Sequence, residues 1–246
     1  MKIDIREVLN LIGDELYPTG YKCLCCREEL STNTLYAFCD KCMAKLPFNI
    51  GHTCVKCGEP IGGMGEYCVH CKNNLPFYKK NVSVFLYKSP IDGFIRKLKF
   101  DNGKYLAETL SNFIASEVVK MGVNFDYVIP VPLHPSRKKK RGYNQSELLC
   151  TSLKRKLLLN VDNDILIKSR NTLSQAGLSR NERIENLEDA FEVKDKSKIK
   201  GKVLLLVDDV FTTGTTINEC SKILLDAGAK EVYSITLAHA DTKILF

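Results

Sequence analysis

The chain has 246 residues, 44% hydrophobic and 26% charged, with a formal net charge of +7 at pH 7. This composition excludes a disordered or low-complexity protein and leaves enough chain for one large or two modest domains. With no apolar stretch long enough to span a membrane and no signal peptide, a cytoplasmic protein is expected. The charge is uneven. Residues 1–78 hold 8 basic and 9 acidic residues, whereas residues 79–246 hold 28 and 20. The positive excess of the C-terminal part suits a pyrophosphate-bearing ligand or a nucleic acid, and equally a soluble surface with no message.

Ile5, Val8, Leu9, Ile12 and Leu16 recur at helical spacing, with Asp4, Arg6, Glu7 and Asp14 on the opposite face. They predict an amphipathic helix within residues 1–20, ended by Pro18 and Gly20. It is less basic than membrane-surface helices are and reads as one that packs on its own protein.

Residues 21–76 carry four CxxC pairs: Cys23/Cys26, Cys39/Cys42, Cys54/Cys57 and Cys68/Cys71. Each pair places two thiolates at one edge of a tetrahedron, so four pairs predict two structural zinc sites of four cysteines each. Spacing alone allows sequential or cross-braced pairing. Cys25 lies inside the first turn and His70 inside the last, so either could substitute as a ligand, though Cys25 reads as a spare thiol and His70 as pointing outward. A redox role is disfavoured, because that chemistry does not need four pairs. With little apolar content, the module depends on metal for its folding energy.

Residues 77–246 read as an α/β domain. A strand is expected over Val82–Leu86. A helical pattern runs from Pro90 to Lys120, broken by Gly103, and a buried strand covers Tyr127–Val131. Five cations follow, Arg137 to Arg141, then Gly142, Tyr143, Asn144 and Gln145. Cations in a loop beyond the end of a strand attract a diphosphate, bind a DNA backbone nonspecifically, or simply face solvent. Arg141 and Asn144 are candidates for orienting a ligand and Tyr143 for stacking on a base, while His134 reads as incidental. A helix over Ser146–Leu159 and a strand over Ile165–Lys168 come next. The segment Arg170–Phe191, weakly apolar and rich in Asn and Arg, reads as a functional lid or a disordered connection. Ala190–Val193 is a short strand.

The most informative stretch is Val203–Asn218, VLLLVDDVFTTGTTIN. Its apolar run predicts a strand buried on both faces in a parallel sheet, with Asp208 and Asp209 where the strand ends. Thr212, Thr213, Gly214, Thr215 and Thr216 form a small-residue turn before a helix starting at Ile217. Such a turn points backbone N–H groups at a phosphate. Paired carboxylates accept hydrogen bonds from sugar hydroxyls or sit near hydrated Mg²⁺. Together these residues describe a ribose-phosphate site and exceed what a helix cap requires. The Walker loop of P-loop ATPases is absent.

Residues 203–216 resemble the 5-phosphoribosyl-1-diphosphate (PRPP) loop of type I phosphoribosyltransferases. With VPLHPSRKKKRGYNQ, RNTLSQAGLSRNERIENLEDAF and the cysteine-rich N-terminus, nearly the whole chain resembles the ComF family of competence proteins. The resemblance implies a type I phosphoribosyltransferase-like doubly wound parallel sheet behind a small double zinc ribbon. It also implies a ligand, PRPP with Mg²⁺. Asp208 and Asp209, the catalytic candidates, would hold the ribose hydroxyls, and Thr212–Thr216 the 5′-phosphate. Arg137, Arg141, Asn144, Arg170, Gln175 and Arg183 would serve the pyrophosphate or a closing lid, and Lys97, Lys99 and Phe100 a hood over the site. The expected activity is transfer of a pentosyl group to an unidentified acceptor. The alternative is a non-catalytic competence factor that handles single-stranded DNA, with other competence proteins as partners, peripherally at the inner face of the cytoplasmic membrane. A blander third reading leaves the α/β domain as a scaffold for protein contacts.

Overall fold

The computed structural model of the protein describes residues 22–30, 34–63, 65–172, 180–187 and 189–240. The helix expected from Ile3 to Leu16 lies outside them. By packing, the chain divides into two compact units, Met1–Leu46 and Pro47–Phe246.

In the first unit the chain doubles back at a knuckle. Cys23 N–H donates to Glu28 O and Arg27 N–H to Cys23 O. The second knuckle opens helix α1, Asp40–Met43, with Cys39 at its N-cap.

The second unit begins with the other two knuckles. The last of them opens helix α2, Val69–Asn73, capped by Cys68, whose sulfur accepts from Cys71 N–H. The chain then enters strand β1, Asn81–Leu86, and helices α3, Ile91–Phe100, and α4, Leu106–Met121. Gly103 makes the joint between these helices. A Cβ there would lie 2.8 Å from the Lys97 carbonyl, so only glycine allows the chain to turn this tightly. Strand β2, Tyr127–Pro130, leads to helices α5, Pro135–Arg141, and α6, Gln145–Leu157. Strand β3, Leu166–Lys168, helix α7, Arg180–Leu187, and strand β4, Phe191–Val193, follow. Strand β5, Val203–Phe211, helix α8, Thr215–Asp226, and strand β6, Glu231–His239, complete the described unit.

The main sheet has the order β1-β6-β5-β2 and every pair in it is parallel. Its centre is Leu204–Val207, all fully buried, as an unbroken apolar run between helical layers requires. Helices α4 and α6 contact each other and the sheet, while α8 contacts β6, β4 and α7.

The structure departs from the sequence reading at four places. β5 continues through the acidic pair to Phe211, because Val210 and Phe211 still pair with Ala238 and His239 of β6. α8 starts at Thr215, two residues early, with Gly214 as its left-handed N-cap at φ +74°. β3 is not part of the main sheet. It pairs antiparallel with β4 as a separate two-stranded sheet. The five cations are helical, not a loop. His134 Nδ1 caps Ser136 N–H, Pro135 presets the first turn, and left-handed Gly142 ends the helix.

The second pair of knuckles is built into the α/β core. Cys54, Cys57, Cys68, Cys71 and Tyr78 belong to one apolar cluster with Ile129, Leu204, Phe211 and Ile217. A buried polar network fixes this seam. Asn81 Nδ2 donates to Cys57 O at 2.9 Å and its Oδ1 accepts from Ser234 Oγ at 2.9 Å. Ser83 Oγ meets Thr236 Oγ1 at 2.8 Å. Buried polar groups on adjacent strands are tolerated because each finds a partner.

Candidate functional site

Two groups of four thiols are preformed, Cys23/Cys26/Cys39/Cys42 and Cys54/Cys57/Cys68/Cys71, with sulfurs inside each group within 4.8 Å of one another. The pairing is therefore sequential, and Cys25 and His70 belong to neither group. The fit to zinc is geometric. A Zn–S bond of about 2.3 Å in a tetrahedron sets sulfurs about 3.8 Å apart, and Cys26–Cys39 and Cys57–Cys68 are each 3.7 Å apart. A hydrogen bond donated by the Cys57 thiol to Cys71, together with burial, pushes that thiol far up, the expected state of crowded thiols that a divalent cation would ionise.

The second candidate site lies at the C-terminal ends of β2 and β5. Asp209, 3% exposed, pairs through Oδ1 with Lys99 Nζ at 2.7 Å. Its Oδ2 is buried and has no hydrogen-bond partner among the described residues. Asp208 Oδ1 accepts from Ser146 Oγ at 3.0 Å and from Asp209 N–H at 2.9 Å. Burial, then the charge of Asp209, pushes the Asp208 carboxyl up to about 7, with Lys99 opposing. Burial works against the Lys99 charge, but the Asp209 carboxylate prevails and raises its pKa.

The turn after β5 is held by its own side chains. The Phe211 ring packs directly beneath Gly214, where a Cβ would fall 2.4 Å from Cζ. That ring stacks on His239 at 5.0 Å and meets Tyr78 edge-on at 6.2 Å. Thr213 and Thr215 hydroxyls lie 2.8 Å apart across the turn. Thr212 precedes it and Thr216 follows, and the first N–H groups of α8, which a helix leaves without intrahelical partners, lie at this turn.

The helical form of α5 sorts its cations. Arg137 and Arg141, four residues apart, share a half-buried face, while Lys138, Lys139 and Lys140 are exposed. Arg137 donates to Thr172 O at 2.6 Å, and Arg141 bonds Gln145 and stacks over Phe100. Lys168, at the end of β3, is 9% exposed above the Phe191 ring. Burial, then repulsion by Arg137, with Arg170 adding to it, lowers its pKa to about 8. Arg170 donates to Asn186 O at 3.2 Å. Arg141 and Lys168 both feel the charge of the carboxylate pair, and Arg137 is close enough to each to oppose its charge. Asn144 is engaged in structure: it caps α6 through Ser146 N–H and donates to Val131 O. Tyr143 is buried and donates to Leu98 O at 2.6 Å, so its ring does not offer a face for stacking. Arg183 falls on α7, but its side chain lies outside the described residues, as does Gln175.

The sequence reading places Lys99 only in a hood and gives Ser146 and Lys168 no role. The one signal for Lys99 is a cation between apolar helix positions Leu98 and Phe100. Nothing local marks Lys168, whose setting depends on β4 and α5.

Comparison with known proteins places these features in company. Residues 107–245 match the phosphoribosyl transferase domain family and residues 12–72 the double zinc ribbon domain. Competence protein F of Haemophilus influenzae is 33% identical over 229 residues, 90% of this chain and 98% of its own length. DNA utilization protein YhgH of Escherichia coli K12 is 34% identical over 184 residues, 73% of this chain and 80% of its own. Competence protein ComFC of Streptococcus pneumoniae is 28% identical over 232 residues, 88% of this chain and 99% of its own.

Because the second thiol group sits in the α/β core, Cys57→Ser should lower the stability of the unit 47–246 by about 3 kcal/mol or more, a fall of roughly 6–12 °C in thermal midpoint. Cys26→Ser should leave that midpoint within about 2 °C. Calorimetry with zinc counted per chain decides this. The carboxylate pair gives an expectation for pH. Asp208 titrates near 3.8 unfolded and about 7 folded, so between those values the folded state binds more protons. Its contribution to stability is fully present below about pH 4 and is lost as pH rises through 7. Asp208→Asn should raise stability at pH 8 by up to about 4 kcal/mol, less where water reaches the carboxylate. It should also flatten urea-unfolding free energy between about pH 4 and 7.

Proposed function

Because this chain belongs to the phosphoribosyl transferase domain family, among the relatives of competence protein F, we propose that it binds PRPP and transfers its phosphoribosyl group to an acceptor. One observation carries this reading: the second oxygen of Asp209 is buried, unpartnered, and stands beside Asp208 immediately before a phosphate-type turn. A buried carboxylate oxygen without a donor is costly unless a ligand supplies one. A ribose diol supplies two, one for each acid.

In this reading the Thr212–Thr216 backbone takes the 5′-phosphate and Arg137, Lys168, Arg170 and Arg141 attract the diphosphate. Mg²⁺, bound with PRPP, would neutralise part of the diphosphate charge, and Asp208 and Asp209 are the carboxylates that would serve its water shell. The bond between C1 and the diphosphate oxygen breaks, and the diphosphate leaves with the electron pair. The acceptor forms the new bond at C1 and releases its proton. The positive charge developing on the sugar is stabilised by the two fixed carboxylates. The segment from Arg170 through α7 would then exclude water, as a lid does.

The relatives named for competence and DNA utilization support a role in DNA uptake. A second, non-catalytic reading rests on Lys138, Lys139 and Lys140, exposed on α5, which suit the backbone of single-stranded DNA. No helix among the described residues is long and apolar enough to cross a membrane, so attachment to its inner face would be peripheral.

Calorimetric titration with PRPP and Mg²⁺ is expected to show one site that vanishes in the Asp208→Ala, Asp209→Ala double variant. No binding by folded wild-type protein would sink the transferase reading and favour DNA. The pH profile adds an independent check. Lys168 loses its charge as pH rises through about 8, so pyrophosphate affinity should fall there. Lys168→Arg should hold its affinity to about 1.5 pH units above the lysine's titration. A profile unchanged by that substitution would remove Lys168 from the anion site.

A further inference from the structure

The turn that forms the phosphate site has a second neighbour besides the carboxylate pair. Between the turn and the second zinc knuckle lies a cavity of about 480 Å³, within the size range of small-molecule pockets. His70 and Asn74 of the knuckle, Tyr78 beyond it, and Thr213, Thr215 and Asn218 of the turn and α8 line it. The wall is fixed to its floor, since Phe77 N–H donates to Asn218 Oδ1 at 2.9 Å and Tyr78 meets Phe211 edge-on.

Position and chemistry narrow what this cavity takes. Its lining includes the phosphate turn but neither Asp208 nor Asp209. The cavity therefore opens on the turn rather than on the acids. An occupant joined to the same ligand must be joined through the 5′-phosphate. The lining holds no lysine or arginine and includes one acid, Glu219, so a second phosphate group is disfavoured. Amides, hydroxyls and an imidazole suit a neutral group with donor and acceptor edges, and the volume suits a nucleoside.

We propose that the cavity between the second zinc knuckle and the Thr213–Thr215 turn binds a nucleoside linked through a 5′-phosphodiester, so that the site accepts a unit of a nucleic acid strand as well as a free 5′-phosphate. The inference rests on the reading of Thr212–Thr216 as a phosphate turn and deepens it by naming a ligand class. The phosphate is held on the turn, the sugar beyond it faces Asp208 and Asp209, and the preceding nucleoside lies against the knuckle. Zinc thereby acts on recognition through the wall it holds.

The test compares dinucleotides with their monophosphates in calorimetric titrations of the zinc-loaded full chain. ApU is set against UMP and d(ApT) against TMP, with PRPP as the reference ligand. At least one dinucleotide should bind about tenfold or more tighter than its monophosphate, the gain of a base held in a pocket. The preferred one tells whether the strand is ribose or deoxyribose. Asn74→Trp, which fills the cavity from an exposed position after α2, should abolish that gain and leave monophosphate affinity unchanged. Its thermal midpoint reports that the fold is intact, and Asn74→Leu repeats the test should the tryptophan variant not fold. Dinucleotides no tighter than monophosphates, or a gain that survives both substitutions, would overturn the inference while leaving the phosphate turn in place. Failure of PRPP and of every monophosphate to bind would overturn the phosphate turn itself, and the inference with it.

Discussion

Two carboxylates held side by side at the buried end of a central strand are what the rest of the second unit has to accommodate. Adjacent acids in such a place repel each other and lose water, and the fold answers each one differently. Asp209 receives Lys99 from α3, and Asp208 receives Ser146 from the start of α6 and a backbone N–H. Each helix thus adds a polar contact at the end of β5 to its buried apolar face. The answer is incomplete, because one oxygen of Asp209 is left without a donor among the described residues. Incomplete satisfaction at such a depth separates a site from a core.

The turn after β5 obeys a second constraint, steric where the first is electrostatic. Phe211 fills the space under Gly214, and the same ring contacts His239 and Tyr78. Tyr78 in turn belongs to the cluster that encloses Cys54, Cys57, Cys68 and Cys71. The second four-cysteine knuckle, the aromatic ring and the turn after β5 are successive layers of one packed body. The two thiol groups, alike in spacing, thus have different standing: one belongs to a small separate unit and the other to the core of the α/β unit.

What was legible in the sequence was local. Ligand spacing identified eight cysteines because each knuckle is made by four consecutive residues. The run Val203–Val207 announced a strand buried on both faces, and Gly214 among threonines announced the turn. Partners distant in the chain were not legible. The Lys99–Asp209 pair joins residues 110 positions apart, and the environment of Lys168 is assembled from Phe191, Arg137 and Arg170. Asn81, Ser83, Ser234 and Thr236 carry no local signal, because their value lies in meeting one another and Cys57 O across a seam. The five cations looked like a loop because a helix with no apolar face has no period to detect. His134, Pro135 and Gly142 were its boundary signals.

The sheet joins its earliest strand to its latest: β1 lies against β6, with β5 on the other side of β6. During synthesis, β1 and the knuckles before it emerge long before the strand that must cover them. The knuckles are made of close neighbours and can close on metal at once, whereas the Asn81–Ser234 and Ser83–Thr236 links wait for the ribosome to deliver β6. Until then β1 offers an unpaired edge, the kind of surface on which nascent chains aggregate. The polar residues placed along that edge, useful later as a seam, keep the waiting strand wet.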